Sequence, residues 1–213
     1  GRVDVPASLA TDVLAYVDAG SGAVSAGFGP LEVPVDGGEV EVDRTLTVEN
    51  TGEEAVTYDL AYTARTEVPG ATYEISPANL TVGPGRTGKA TVTLRVDPTV
   101  LTKPIDPTMD REQAGQARQY AAAASGLVEL TPTDGSDAGL RVPVHAAPRP
   151  ASTLGVRDAG EVDIPTSGGA RGQDLEVVGE GFDQGDGGDR TRSLLAGFQL
   201  LERSVRENTC APG

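Results

Sequence analysis

The chain has 213 residues, a formal net charge of −15 at pH 7 and an aromatic content of only 4%, with no tryptophan. This length is sufficient for one large domain or two modest domains, each with a real hydrophobic core. The negative charge argues against partners such as nucleic acid or anionic lipid, because both require a basic protein surface. We interpret the charge mainly as a contribution to solubility.

The chain contains no apolar run approaching the roughly 18 residues of a membrane-spanning helix. Residues 1–6 lack a methionine and a hydrophobic region, so they do not resemble a signal peptide. We therefore expect an interior fragment or a processed product. Residues 1–27 begin with a short amphipathic stretch and continue into a connector rich in Gly, Ala and Ser, which predicts the end of a preceding domain and a linker.

Residues 46–62 carry the clearest structural signal. Leu46 and Val48 alternate with polar residues, and so do the apolar residues of 56–62. Period-two alternation is typical of half-buried strands, and Asn50-Thr51-Gly52 between the two runs favours a tight turn. We predict a strand, a turn and a second strand of an antiparallel sandwich, a scaffold without chemistry of its own.

Similar alternating runs recur between turn sequences rich in Gly and Pro. They predict eight strands, at 31–35, 40–49, 56–63, 72–75, 80–82, 89–96, 127–131 and 140–145. Seven or eight short strands over about 120 residues are typical of an immunoglobulin-like or fibronectin type III-like sandwich. We therefore predict an all-β antiparallel sandwich over residues 28–147.

Residues 110–124 interrupt this pattern with a run of helix-forming residues that follows Asp110, a plausible N-cap. We predict one helix inserted between strands across an end of the sandwich. A packing element is the favoured interpretation, and a functional lid is the alternative.

Residues 148–155 are rich in proline and predict a linker. Beyond it, residues 175–178 and 193–201 predict strands around a loop at 183–189. So few strands seldom close a sandwich alone, and we expect residues 156–213 to be the start of a second, truncated β-domain.

A catalytic site would need a nucleophile, a base and an orienting acid, and the sequence offers no recognisable set. The single histidine, His145, falls at the end of a predicted strand, and no Gly-x-Ser-x-Gly motif is present. The single cysteine, Cys210, has no basic neighbour that would activate a thiolate. We interpret Cys210 as a structural cysteine whose disulfide partner lies outside this chain.

Asp183, Asp186 and Asp189 form an acidic series separated by glycines. Carboxylates on a flexible loop can gather around Ca²⁺, although the spacing differs from that of an EF-hand loop. A solvated hairpin loop is the favoured interpretation and a Ca²⁺ site is the alternative; no other cofactor is predicted.

Asn79-Leu80-Thr81 matches the glycosylation sequon, which we interpret as chance. Carbohydrate binding has little support, because exposed aromatic platforms are missing.

Three stretches together suggest a family. Residues 1–10, which begin Gly-Arg-Val-Asp, resemble the segment that closes the catalytic domain of secreted bacterial subtilisin-like (S8 family) serine proteases. Residues 46–52 and 91–94 resemble the fibronectin type III-like domain appended to many of these proteases. Residues 130–136 and 140–152 are similar to the last two strands of that domain and its exit linker. The resemblance covers most of residues 1–152.

The resemblance implies a secreted, non-catalytic accessory region that supports an upstream catalytic domain and contacts protein substrate or the cell envelope. It also favours a half-disulfide role for Cys210. Neither the Gly-Thr-Ser-Met nor the His-Gly-Thr motif of the family occurs here, so no catalytic residue is carried over. A surface adhesion or spacer module unrelated to proteolysis is the main alternative. An autonomous enzyme is a third hypothesis, with the least support.

Overall fold

The computed structural model describes residues 5–18, 20–102, 104, 106, 108–110, 112–114, 116–117, 123–135, 139–157 and 177–181. The elements in chain order are α1 (Val5–Ala10), β1 (Val13–Tyr16), β2 (Ala26–Pro34), β3 (Val40–Asn50), β4 (Val56–Thr66), β5 (Ala71–Ser76), β6 (Asn79–Val82), β7 (Arg86–Val96), β8 (Glu112–Gln113), β9 (Gln116–Ala117), β10 (Ala124–Pro132), β11 (Leu140–Ala151), β12 (Gly155–Val156) and β13 (Val177–Val178). Among these residues no helix is long and apolar enough to cross a membrane.

Two sheets form a β-sandwich. The front sheet has the strand order β1-β3-β7-β5, and the back sheet has the order β2-β11-β10-β4-β6. Neighbouring strands are antiparallel except β2, which lies parallel to β11 at the edge of the back sheet. The prediction of an all-β antiparallel sandwich is confirmed, and all eight predicted strands are present.

The core lies between the sheets and is built from aliphatic residues and a few aromatic rings. Leu46, Val92 and Leu94 of the front sheet are fully buried, as are Val128 and Val142 of the back sheet to within 1%. Each lies on the inward face of a strand whose alternate residues are more exposed. The alternation of apolar and polar residues in the sequence therefore predicts correctly which face of each of these strands is buried.

The sandwich has two ends, which we call lower and upper. At the lower end β1 begins beside the end of β3, with Val13 opposite Asn50, and β11 begins with Leu140 opposite Leu130. At the upper end β11 finishes with Ala151 opposite Pro34. The chain therefore joins the sandwich at the lower end and leaves it at the upper end.

The predicted helix at residues 110–124 is wrong for the described part of this segment. Residues 112–113 and 116–117 pair as the short strands β8 and β9, and Ala124 already belongs to β10. Ala124 is buried and lies opposite Ala146 of β11. Pairing and burial in the sheet thus outweigh the high intrinsic helix propensity of alanine at position 124.

Two connections also differ from expectation. Residues 13–16, predicted within the end of a preceding domain and its linker at 1–27, form β1 of the front sheet, and residues 148–151, predicted as a proline-rich linker, are the end of β11. The strand β2 also carries prolines, Pro30 and Pro34, and it lies at the edge of the back sheet as far as the structure describes it. Proline is tolerated at sheet edges because no ladder hydrogen bond is lost there.

Candidate functional site

A cleft of about 500 Å³ opens at the lower end of the sandwich. Three separate segments line it: the residues leading into β1, the loop between β3 and β4, and the end of β10. Its lining carries four carboxylates and no Lys, Arg or His side chain; the carboxylates are Asp12, Glu53, Glu54 and Asp134. The remaining wall includes the apolar side chains of Val13, Val56 and Pro132. The cleft is an acidic surface with a partly apolar wall.

Asn50 shapes the loop that forms one side of this cleft. Its side chain is 1% exposed, and its Nδ2 donates to the carbonyls of Glu54 (2.7 Å) and Val82 (3.1 Å), with Gly83 O at 3.3 Å. Its Oδ1 accepts a hydrogen bond from Gly52 N at 2.9 Å, which forms an Asx-type turn. One amide therefore bonds the loop after β3 to the end of β6, and its bond to the Val82 carbonyl is buried.

The segment before β1 is fixed to the same loop. The Asp12 carbonyl accepts hydrogen bonds from both the backbone N (2.8 Å) and the Oγ1 (2.7 Å) of Thr51. Thr11 Oγ1 also accepts a hydrogen bond from Val13 N at 3.1 Å. The acidic side chain of Asp12 is thus carried on a backbone held by the sandwich, not on a free tail.

Tyr58 is 1% exposed and lies in the lining of the cleft. Burial raises the pKa of its phenol, and the negative charge of Asp134 raises it further. The phenol is therefore neutral at physiological pH and cannot act as a base. No group of three or more His, Cys, Asp or Glu residues among those the structure describes is placed to hold a metal ion. The four carboxylates of the cleft can attract a basic group.

His145 lies within β11, and its side chain is exposed on the outer face of the back sheet. The register places it opposite Ser125 of β10. The Ser125 hydroxyl is within hydrogen-bonding distance (2.6 Å) of the Thr66 hydroxyl. Ser125 and His145 therefore occupy neighbouring positions, but the Ser125 hydroxyl bonds to the Thr66 hydroxyl and not to the imidazole.

The other residues singled out in the sequence give no functional site. Asp183, Asp186, Asp189 and Cys210 lie outside the described residues, so the Ca²⁺ and disulfide hypotheses stay predictions. Asn79 is exposed on β6, and its amide donates to Asp59 at 2.9 Å. Tyr58 and Tyr73 are buried, and Tyr62 is partly buried against the core, so these three rings are not exposed platforms for carbohydrate.

The acidic cleft was not anticipated from the sequence. Its four carboxylates come from positions 12, 53, 54 and 134, and the sequence shows no spacing that would relate them. Asn50 was recognised only as a turn residue. Its burial and its bonds to the β6–β7 connection depend on tertiary contacts between segments that are more than 30 residues apart.

The chain matches the sequence profile of a known protein family. Residues 37–145 match the sequence profile of an Fn3-like domain. No curated protein sequence matches the chain significantly. The described strands β3–β7 and β10 and the first half of β11 all fall within the matched region.

Several solved structures are similar to the chain. A FixG-related protein from Vibrio parahaemolyticus is 18% identical with a TM-score of 0.35, and the match covers 52% of this chain and 81% of that one. The PapD-like domain 7 of human CEP192 is 15% identical with a TM-score of 0.38, covering 70% and 92%. The secreted serine protease VesC from Vibrio cholerae is 7% identical with a TM-score of 0.31, covering 57% and 21%. At these values none of the three similarities bears on function.

Proposed function

The chain belongs to the Fn3-like domain family, and from this premise we propose that it is a non-catalytic accessory β-sandwich of a secreted subtilisin-like serine endopeptidase. Its role is to support the catalytic domain and to hold the following β-domain at a distance from it. Fn3-like sandwiches are scaffolds, and function on such a fold depends on the surfaces it presents.

The observation that supports this role best is the path of the chain through the sandwich. The chain joins at the lower end, where Asp12 is bonded to Thr51, and leaves at the upper end beyond Ala151. Strand β11 has 12 residues and spans about 40 Å at roughly 3.3 Å per residue. A module with this path separates its flanking segments and orients them, which is what an accessory spacer must do.

The proteolytic parent is supported by the resemblance of residues 1–10 and 140–152 to segments of subtilisin-like proteases. The partner of the sandwich is then the upstream catalytic domain, and the acidic cleft beside Asp12 lies at the end that faces it. Contact with protein substrate or the cell envelope and an extracellular location are parts of the same proposal. The disulfide role of Cys210 belongs with that location.

A surface adhesion or spacer module unrelated to proteolysis is the second candidate, because the path of the chain suits it equally well. The two are distinguished by the gene. A Gly-Thr-Ser-Met motif encoded within a few hundred residues upstream of Gly1 supports the protease, whereas tandem copies of the sandwich on either side support the spacer.

A direct experiment compares the parent protease with and without residues 28–147. If the sandwich supports the catalytic domain, its deletion lowers the thermal inactivation midpoint of peptide hydrolysis. The 213-residue chain alone is expected to show no turnover of a fluorogenic peptide. An unchanged inactivation midpoint, or inhibitor-sensitive cleavage by the isolated chain, would contradict the proposal.

A further inference from the structure

The upper end of the sandwich continues almost without a break into the next pair of strands. The β2–β11 ladder ends with a hydrogen bond from Val35 N to Ala151 O at 3.0 Å. The β12–β13 ladder begins with a hydrogen bond from Thr153 N to Glu180 O at 2.9 Å, two positions before the Gly155–Val178 pair. Only Ser152 lies between the two ladders, so very few backbone dihedral angles remain free at this junction.

Thr153 belongs to both sides of the junction. Its backbone N–H bonds to Glu180, and its Oγ1 donates to Asp36 Oδ2 at 2.8 Å in the turn that follows β2. A hydrogen bond to an ionised acceptor is stronger than one between neutral groups. The same residue thus ties the short β12–β13 pair to the end of the sandwich.

Gly179 is evidence that the junction is also closely packed. Its φ angle is +125°, a conformation that other residues rarely adopt. A Cβ at this position would collide with the carbonyl oxygen of Thr153 and approach the Leu154 Cα to 3.1 Å. Backbone therefore meets backbone here, and the approach depends on the absence of a side chain.

The segment leading into the junction is stiff as well. Pro148 and Pro150 have fixed φ angles, and the residues around them pair with β2 along its full length to Pro34. A composition that suggests a linker in the sequence thus forms the last part of a paired strand.

We propose that residues 151–156 form a fixed joint, in which Thr153 is the positioning residue that holds the β12–β13 pair in one orientation relative to the sandwich. A fixed joint is a property beyond the function proposed above, and it does not require that the chain belong to a protease. With the Asp12–Thr51 hydrogen bonds at the lower end, it makes the sandwich a module that fixes direction at both ends.

The test is amide hydrogen exchange on the complete 213-residue chain. In the unmodified protein the amides of Val35 and Thr153 are protected. Thr153→Val removes the hydroxyl and keeps the β-branched shape, and it should speed exchange at position 153 at least about five-fold. Asp36→Ala should have the same effect, and the double variant should add little to either single change.

Two variants serve as controls. Thr153→Ser keeps the hydroxyl and should stay close to the unmodified protein, and Thr72→Val changes an exposed threonine on β5, the edge strand of the front sheet. Gly179→Ala provides a second test, because the added Cβ should release the β12–β13 pair while the unfolding midpoint of the sandwich stays the same. If the Thr153 amide exchanges as fast as in an unstructured peptide, or if Thr153→Val behaves like Thr72→Val, the joint is not fixed and the proposal is wrong.

Discussion

The guanidinium of Arg44 lies over the ring of Phe28, with the Cζ atom 5.0 Å from the ring centre. Its Nε donates to Gly27 O (3.0 Å) and one Nη donates to Asp43 O (2.8 Å). Strand β1 covers only residues 47–50 of β3, so among the described strands none pairs with this edge of β3 near Asp43. Arg44 therefore bridges the two sheets where β1 leaves the side of the sandwich open.

Replacement of Arg44 by alanine should destabilise the sandwich by about 1.5 kcal/mol, because it removes the cation–π contact and two hydrogen bonds to backbone carbonyls. Arg44→Lys should recover part of this loss, since lysine keeps the charge but not the planar donor group. Urea unfolding measures the difference. The exposed Arg149→Ala serves as the control, and equal midpoints for the two alanine variants would contradict the assignment.

Replacement of Asn50 by alanine should cost about 2 kcal/mol of unfolding free energy, because the buried Val82 carbonyl and the partly buried Glu54 carbonyl lose their donor. Asn79→Ala is the matched control: Asn79 is exposed and its amide bonds only to a surface carboxylate, so its loss should cost less than about 0.5 kcal/mol. Thermal and urea unfolding of both variants check the contrast. Comparable losses in the two would mean that the buried amide does not fix the loops.

Gly126 stands at the irregularity in the pairing of β10 with β4. A Cβ there would collide with the Thr63 carbonyl and lie 2.5 Å from the Tyr62 ring. Gly126→Ala should therefore destabilise the protein by about 3 kcal/mol. Gly27→Ala is the control: a Cβ there would meet nothing within 4 Å, so the unfolding free energy should stay nearly unchanged. If denaturant unfolding shows that Gly126→Ala is tolerated equally well, this close approach is refuted.

Stability should fall as the pH rises above about 10, where the phenols of an unfolded chain ionise. Burial raises the pKa of Tyr58, Tyr62 and Tyr73, so the folded state keeps protons that the unfolded state loses. By linkage this contribution to stability is complete below the unfolded pKa and is lost as the pH rises toward the folded values. Tyr73 also donates to Ala124 O at 2.9 Å.

Tyr73→Phe should lower stability by about 1 kcal/mol at pH 7 through the lost hydrogen bond and should flatten the alkaline decline. Urea unfolding at pH 7, 10 and 11 measures both effects. Tyr16→Phe is the comparison variant, because the Tyr16 hydroxyl donates to the Glu49 carboxylate on the partly exposed strand β1. If Tyr73→Phe leaves the fall in stability between pH 7 and pH 11 unchanged, the pKa of Tyr73 does not differ between the folded and unfolded states.

For the series Asp183, Asp186 and Asp189 we expect no heat of binding in a calorimetric titration with millimolar Ca²⁺, as for a solvated loop. Heat that disappears in Asp186→Asn would establish the alternative, a Ca²⁺ site. Asp97→Asn, on a separate surface loop, is the matched control for nonspecific charge effects.

The strands could be predicted because each one buries a single face, which imposes a two-residue period on the sequence. Which strands pair could not be predicted. The alternating runs at 46–50 and 56–62 suggest a strand pair, but β3 and β4 lie in opposite sheets, and the connection 51–55 crosses between them. Both arrangements bury the same residues, so periodicity does not distinguish them.

The amino-acid sequence by itself determined the all-β class, the positions of eight strands and the lack of a recognisable catalytic motif in the sequence, because these depend on local periodicity and on residue types. Only the tertiary structure decided that the described part of residues 110–124 pairs as strands instead of forming the predicted helix, that residues 148–151 are strand and not linker, and that Asp12, Glu53 and Asp134 share one cleft. The physical reason is that partners distant in sequence supply the deciding hydrogen bonds and burial. Local propensities of a few tenths of a kcal/mol are outweighed when such partners are present.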